Sequence, residues 1–248
     1  MNEITNITWG FFSINHIISL IFAIFIIFIL YKLLEKKEEN IQILTLGILS
    51  FSGIFAIIYN LIAWNSPIEY LPFHLCSLNA MVLPIAVFTK NKHLNNLLLL
   101  WSLGAILAIV VNSAQADYEI FSLTFAIYYF PHVLEFGIPL LMFKLNLVKK
   151  DISCIKTTLI ITLISYTLIH LINVNINNYL ELNNIVDYAG NLIQVNYMYS
   201  IQPENPVMSL FYMILPYEYW YMFLAIPIIF IYLIFIYLKE FKQTLKLK

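Results

Sequence analysis

The amino-acid sequence predicts an all-α integral membrane protein, a single bundle of seven transmembrane helices with the N-terminus outside and the C-terminus inside. Composition is the first observation behind this: the 248 residues are 61% hydrophobic and only 11% charged, with a mean hydropathy of +0.83, whereas soluble domains carry roughly 25% charged residues. Length is the second. A hydrocarbon core takes roughly 20 apolar residues per helical crossing, and the chain offers seven such stretches, at 13–34, 41–63, 72–89, 94–113, 121–143, 154–174 and 216–238. Charge is the third. All 13 basic residues are lysines, and they form four clusters: Lys32, Lys36, Lys37; Lys90, Lys92; Lys144, Lys149, Lys150, Lys156; and Lys239, Lys242, Lys246, Lys248.

These clusters follow the first, third, fifth and seventh stretches. Cytoplasmic loops collect positive charge, so the alternation sets the orientation, and one span more or fewer would put lysines on both sides. The opposite face carries Glu3, Glu69, Asp117, Glu119, Glu181, Asp187, Glu204 and Glu218. The expectation is a multi-pass protein of the cell membrane. A net charge of −1 offers no basic surface for nucleic acid.

The first stretch reads as a retained helix rather than a signal peptide, because it lacks a basic leading region and a small-residue cleavage site and its lysines follow it. His16 lies near its outer end. The second, 41–63, returns the chain outward. The third opens with Pro72-Phe73-His74-Leu75-Cys76-Ser77-Leu78-Asn79. Pro72 suits a first helical turn, which puts Cys76 near a helix N-terminus, where the positive end of the dipole stabilises a thiolate. His74, two residues away, points to another face, while Asn79 shares the face of Cys76. The alternative is a small apolar cysteine packed between helices.

The fourth stretch places Asn112 at its outer end. The fifth contains Tyr128-Tyr129-Phe130-Pro131-His132-Val133-Leu134-Glu135, with Pro131 expected to kink it. Ionisable groups at membrane depth are costly and face the bundle interior, which makes them functional candidates. His132 and Glu135 are three apart and share a face, so Glu135 is a candidate to orient the imidazole as an acid or base; the alternative is a structural pair that locks two helices. The sixth stretch brings His170 and Asn173 near its outer end. A segment of about 175–215 then precedes the seventh, asparagine-rich at first and too apolar in Leu180, Ile185, Val186, Leu192, Ile193 and Val195 for disorder. A short external helix or re-entrant cap is expected there. No 20–50-residue repeat or linker divides the chain, so one domain spans 1–248.

The two cysteines, Cys76 and Cys154, fall on opposite sides and are not expected to pair. No HExxH, CxxC or HxxxH spacing supports a metal site, no GxSxG elbow supports a serine triad, and no cofactor or obligate protein partner is expected.

Together, Leu71-Pro72-Phe73-His74-Leu75-Cys76-Ser77, His16, His132, Asn196-Tyr197-Met198-Tyr199 with Pro203 following, and Pro216-Tyr217-Glu218-Tyr219-Trp220-Tyr221 resemble the YwaF-type bacterial integral membrane proteins. That family is similar in turn to the eukaryotic transmembrane protein 164 family and, more distantly, to androgen-induced membrane hydrolases, which use a threonine and a histidine. The resemblance runs over nearly the whole chain in the same order. It implies a lipid acyltransferase that moves a fatty acyl chain from a phospholipid to a lysophospholipid, with Cys76 as nucleophile and His132 as acid and base. Asn196, Tyr197, His16 or Asn112 would then be candidate donors to the oxyanion, with His74, Asn79, Glu135, His170 and Tyr199 in support. Gln202 stands where the family has a basic residue before Pro203, and Tyr217 and Tyr219 where it has tryptophans.

Depth is the difficulty. At 1.5 Å rise per residue, Cys76 lies ~6 Å and His132 ~16 Å below the starts of their predicted spans, so pairing them needs a tilted fifth helix or a third span that begins deeper. A membrane transporter or lipid-binding protein with a His132/Glu135 intramembrane site and no covalent chemistry is the competing expectation.

Overall fold

The computed structural model describes residues 7–63, 67–111, 113–187 and 189–246; Glu3, Asn112 and Lys248 lie outside them. Its helices are α1 (Ile14–Leu34), α2 (Glu39–Ser50), α3 (Ser52–Ala63), α4 (Leu75–Thr89), α5 (Lys92–Val110), α6 (Leu123–Lys144), α7 (Ser153–Leu182), α8 (Pro206–Ile214), α9 (Ile226–Ile236) and α10 (Leu238–Lys246). Extended pairing among the described residues is confined to isolated bridges, Thr8 with Glu119 and Val186 with Leu192.

Among the described residues, five helical segments are long and apolar enough to cross a membrane: Ile14–Leu34, Glu39–Ala63, Lys92–Val110, Leu123–Lys144 and Ser153–Leu182. The protein is therefore an all-helical, multi-pass membrane protein. The third and seventh predicted spans correspond to shorter apolar helices, Leu75–Thr89 and Trp220–Ile236.

Side chains start the helices as elementary capping predicts. Ser13 accepts from the N–H of His16 at α1, Asn91 from His93 and Leu94 at α5, and Ser122 from Phe125 at α6, each satisfying N–H groups that the first turn leaves unpaired. The Glu39–Ala63 span breaks at Phe51, between α2 and α3, where Ser50 Oγ turns back to the Gly47 carbonyl at 2.6 Å. Pro131 and Pro139 both lie inside α6, which stays helical through them.

Two boundaries differ from the sequence reading. Helix α4 begins at Leu75, not at 72: the N–H of Leu78 bonds the carbonyl of His74 at 3.0 Å, and Phe73 N–H closes a tight turn on Leu71 O. Pro72 thus shapes the approach rather than the first turn. Helix α7 runs on to Leu182 over 30 residues, because the asparagines read as loop formers have their amides occupied: Asn175 bonds the Leu171 carbonyl one turn back at 2.7 Å, and Asn177 holds the backbone of Val195. The segment that follows is correspondingly shorter than 175–215, and it contains a short helix, α8.

The chain clusters into two compact units, Met1–Ala56 with Asn79–Lys149, and Ile57–Leu78 with Lys150–Lys248. In the first, α6 packs against α1, α2 and α5. Its core gathers Trp9, Ala23, Ile109, Phe125, Tyr129 and Val133. Trp9, ahead of α1, donates its indole N–H to Ser19 Oγ at 2.8 Å, and its backbone N–H reaches Tyr118 O at 2.8 Å. In the second unit, Ile169, Leu180, Val195, Tyr197 and Met198 form the core, with Phe73, Leu75 and Leu78 packed on it.

Candidate functional site

Within the second unit, Cys76 is the second residue of α4 and half-buried. The His74 ring, just before that helix, meets Tyr197 edge-on at 5.6 Å and Tyr199 at 5.3 Å between centroids. Tyr199 is also a neighbour of the thiol. Burial, then the Cys76 sulfur and the Glu204 carboxylate, push its phenol above the ordinary range, since each disfavours a second negative charge nearby. The Asn196–Tyr199 motif and the start of α4 therefore belong to one polar and aromatic cluster.

Helix α7 holds that motif in place. Asn173 Nδ2 donates to Tyr197 O at 2.8 Å and Asn173 Oδ1 accepts from Tyr197 N at 3.0 Å. Asn177 does the same for Val195, at 2.9 and 2.7 Å. Four residues of helix advance ~6 Å and two residues of extended chain ~6.6 Å, so two amides one turn apart read alternate residues of a strand as a β partner would. Asn173 also donates to Ser200 Oγ at 2.9 Å, which meets His170 Nδ1 at 3.1 Å. On the other side, Asn196 gathers the loop, donating to Gln202 O and Glu204 Oε1 and accepting from Ile201 N. The phenols of Tyr197 and Tyr221 donate to the carbonyls of Ile68 and Tyr199.

In the first unit, His132 is half-buried on α6. Its Nδ1 lies 2.6 Å from the Tyr128 carbonyl. A carbonyl only accepts, so Nδ1 carries the hydrogen and the neutral ring keeps its lone pair on Nε2. The group that orients this imidazole is thus the preceding turn of its own helix, where the sequence had offered Glu135. Glu135 is instead buried beside α4, and its carbonyl accepts from Asn79 Nδ2 at 3.3 Å. His16 is fully buried and uses both nitrogens: Nδ1 accepts from Phe12 N at 3.1 Å, and Nε2 donates to Ile109 O at 2.8 Å. It ties the start of α1 to the end of α5.

Three of the four candidate oxyanion donors have already given their hydrogens to protein acceptors: Asn196 to Gln202 and Glu204, Tyr197 to Ile68, and His16 to Ile109. The fourth, Asn112, lies outside the described residues. Sequence reasoning missed the pairing role of Asn173 and Asn177. Its signal was two asparagines four apart, but Asn173 was placed at the outer end of the sixth stretch and Asn177 in the segment that follows, so the pair was split. Among the described residues no group of three His, Cys, Asp or Glu side chains converges as metal ligands.

A family model described as the TMEM164 family matches residues 11–237, most of the chain. No curated protein and no solved structure matches it.

Proposed function

The chain belongs to the TMEM164 family, and from that premise we propose that it is a lipid acyltransferase, moving a fatty acyl chain between phospholipid and lysophospholipid through a thioester on Cys76. His132 is the acid and base. Its Nε2 lone pair takes the thiol proton as sulfur attacks the ester carbon; the C–S bond forms, the C–O bond breaks, and the alkoxide leaves with that proton. A lysophospholipid hydroxyl then reverses the sequence, losing its proton to Nε2 as its oxygen displaces the thiolate. Each step leaves the site with unchanged net charge, which suits chemistry in a poorly solvated setting.

The observation that carries the reading is the bond from Asn79 Nδ2 to Glu135 O. Asn79 and Glu135 each follow a proposed catalytic residue by three positions, so each of the two proposed catalytic residues lies one turn before this contact along its own helix. Helix lengths support the same register. Counted from the inner ends at Thr89 and Lys144, Cys76 stands ~20 Å and His132 ~18 Å up its helix at 1.5 Å per residue. The depth mismatch of the predicted spans arises from counting at the outer starts and largely disappears when the count runs from the inner ends. Seven crossings with the N-terminus outside belong to the proposal, supported by the lysine alternation and the two shorter apolar helices.

The test is to incubate the purified protein with isotopically labelled phospholipid and lysophospholipid and follow acyl exchange by mass spectrometry. A hydroxylamine-labile acyl adduct is expected, absent in Cys76→Ala, with exchange reduced about 10²- to 10⁴-fold in His132→Ala. An adduct that persists in Cys76→Ala would sink the proposal.

A further inference from the structure

The proposed acyl transfer leaves Glu135 unused, although it is the most buried charged side chain of its helix. It is 4% exposed and Asn79 is wholly buried. The Asn79 amide donates to the Glu135 backbone carbonyl, and among the described residues the two side-chain acceptors, Asn79 Oδ1 and Glu135 Oε2, have no hydrogen-bond partner. A third helix closes the place. A Cβ added at Gly53 of α3 would stand 2.7 Å from Glu135 Oε1 and 2.6 Å from the Ala80 Cβ, so bare backbone is set against the carboxyl.

No cation faces it. The stretches of α3 and α4 in this unit, 52–56 and 79–89, hold no ionisable side chain. On the helices packed on α6, α1 brings His16, Tyr31 and Lys32, α2 brings Glu39, and α5 brings Lys92 and His93. His16 has both nitrogens occupied, Glu39 pairs with Lys90, and the lysines and His93 stand at helix ends. On α6 itself are Tyr128, Tyr129, His132 and Lys144, of which His132 is nearest and has given its Nδ1 hydrogen to Tyr128.

A bare carboxylate so placed costs many kcal/mol in solvation and is neutralised instead, and two orphaned acceptors on adjoining helices ask for a shared positive or donor group. We infer that Glu135 and Asn79 form an intramembrane binding site for one small monovalent cation, a proton held by the Glu135 carboxyl and donated in a hydrogen bond to Asn79 Oδ1. One proton then satisfies both orphans. Sodium is the other cation that this oxygen pair would take. The inference does not depend on acyl transfer.

The full chain in nanodiscs tests it through two readouts that owe nothing to activity: the infrared C=O band of a protonated carboxylic acid, and the unfolding midpoint in sodium against choline chloride at equal ionic strength. The expected result at neutral pH is an acid band that shifts in heavy water, is lost in Glu135→Gln, and moves upward in Asn79→Leu as its acceptor disappears. A sodium-specific rise in midpoint without the band, abolished by either variant, supports the site with sodium as occupant. Should Glu135→Gln fail to fold, Asn79→Leu carries the comparison alone. Wild-type protein with neither the band nor the sodium effect overturns the inference.

Discussion

Asn173 is the side chain on which most of the second unit's polar order depends. It is wholly buried and serves both backbone groups of Tyr197 together with Ser200 Oγ. Asn173→Ala strands those groups where water does not reach, at a cost of roughly 1–3 kcal/mol. The expected outcome is a lower unfolding midpoint and faster amide exchange at 195–200, with exchange in α6 unchanged. Asn177→Ala, at a half-buried position, should cost less. Tyr197 adds a pH signature. Burial, and then the Glu69 carboxylate, push its phenol up to about 12 from 10.0. A neutral group whose folded pKa is raised contributes stability that is complete below the unfolded value and is lost as pH rises through the folded one. The segment around Tyr197 should therefore hold up to about pH 10 and loosen between about 10 and 12. Tyrosinate absorbance is the check: in Tyr197→Phe the late rise toward pH 12 should shrink by one tyrosine equivalent.

At the scale of elements, close approach of α3, α4 and α6 rests on Gly53. The Ala80 methyl cannot swing away from an added Cβ as a long side chain would, so Gly53→Ala should destabilise by about 1–3 kcal/mol through overpacking. Adding Ala80→Gly should restore part of the loss in the unfolding midpoint, and no recovery would show that the clash lies elsewhere. The positions of the five long apolar segments were legible from length and composition, since a run of apolar residues long enough for lipid has few other homes. Their ends were not. Helix α7 outran its prediction by eight residues because asparagine counts as a loop former only while its amide lacks a partner, and Val195 supplies that partner to Asn177 from 18 positions away. The start of α4 moved for a similar reason: the turn at Leu71–Phe73 is anchored by packing on the second unit's core. At the site, residue types were legible but their partners were not. The sequence offers Glu135 to His132 by spacing, yet the nearest acceptor to Nδ1 is the Tyr128 carbonyl, a group that every sequence has and no pattern marks.

For the whole molecule, the testable consequence of the lysine pattern is its orientation. The four clusters leave 157–238 and 93–143 without a single basic residue, while acids are spread through both. Juxtamembrane lysines resist translocation far more than acids assist it, so the pattern predicts the α4–α5 junction, with Lys90 and Lys92, and the turn between α6 and α7, with Lys149 and Lys150, on one side. It predicts Asp117, Glu119 and Asp187 on the other. Single cysteines introduced into a Cys76→Ser, Cys154→Ala background read this directly. A membrane-impermeant maleimide applied to intact cells should label Glu119→Cys and Asp187→Cys, and should reach Lys90→Cys and Lys149→Cys only after permeabilisation. The experiment also counts crossings. If the short helices Leu75–Thr89 and Trp220–Ile236 each cross, Glu69→Cys labels from outside while Lys90→Cys does not, and Glu218→Cys labels from outside while Lys242→Cys does not. Equal labelling across either helix would mean that it turns back within the membrane. A re-entrant α4 would leave Cys76 and Lys90 on one face, and the proposed register of Cys76 with His132, which counts upward from an inner end at Thr89, would fail with it.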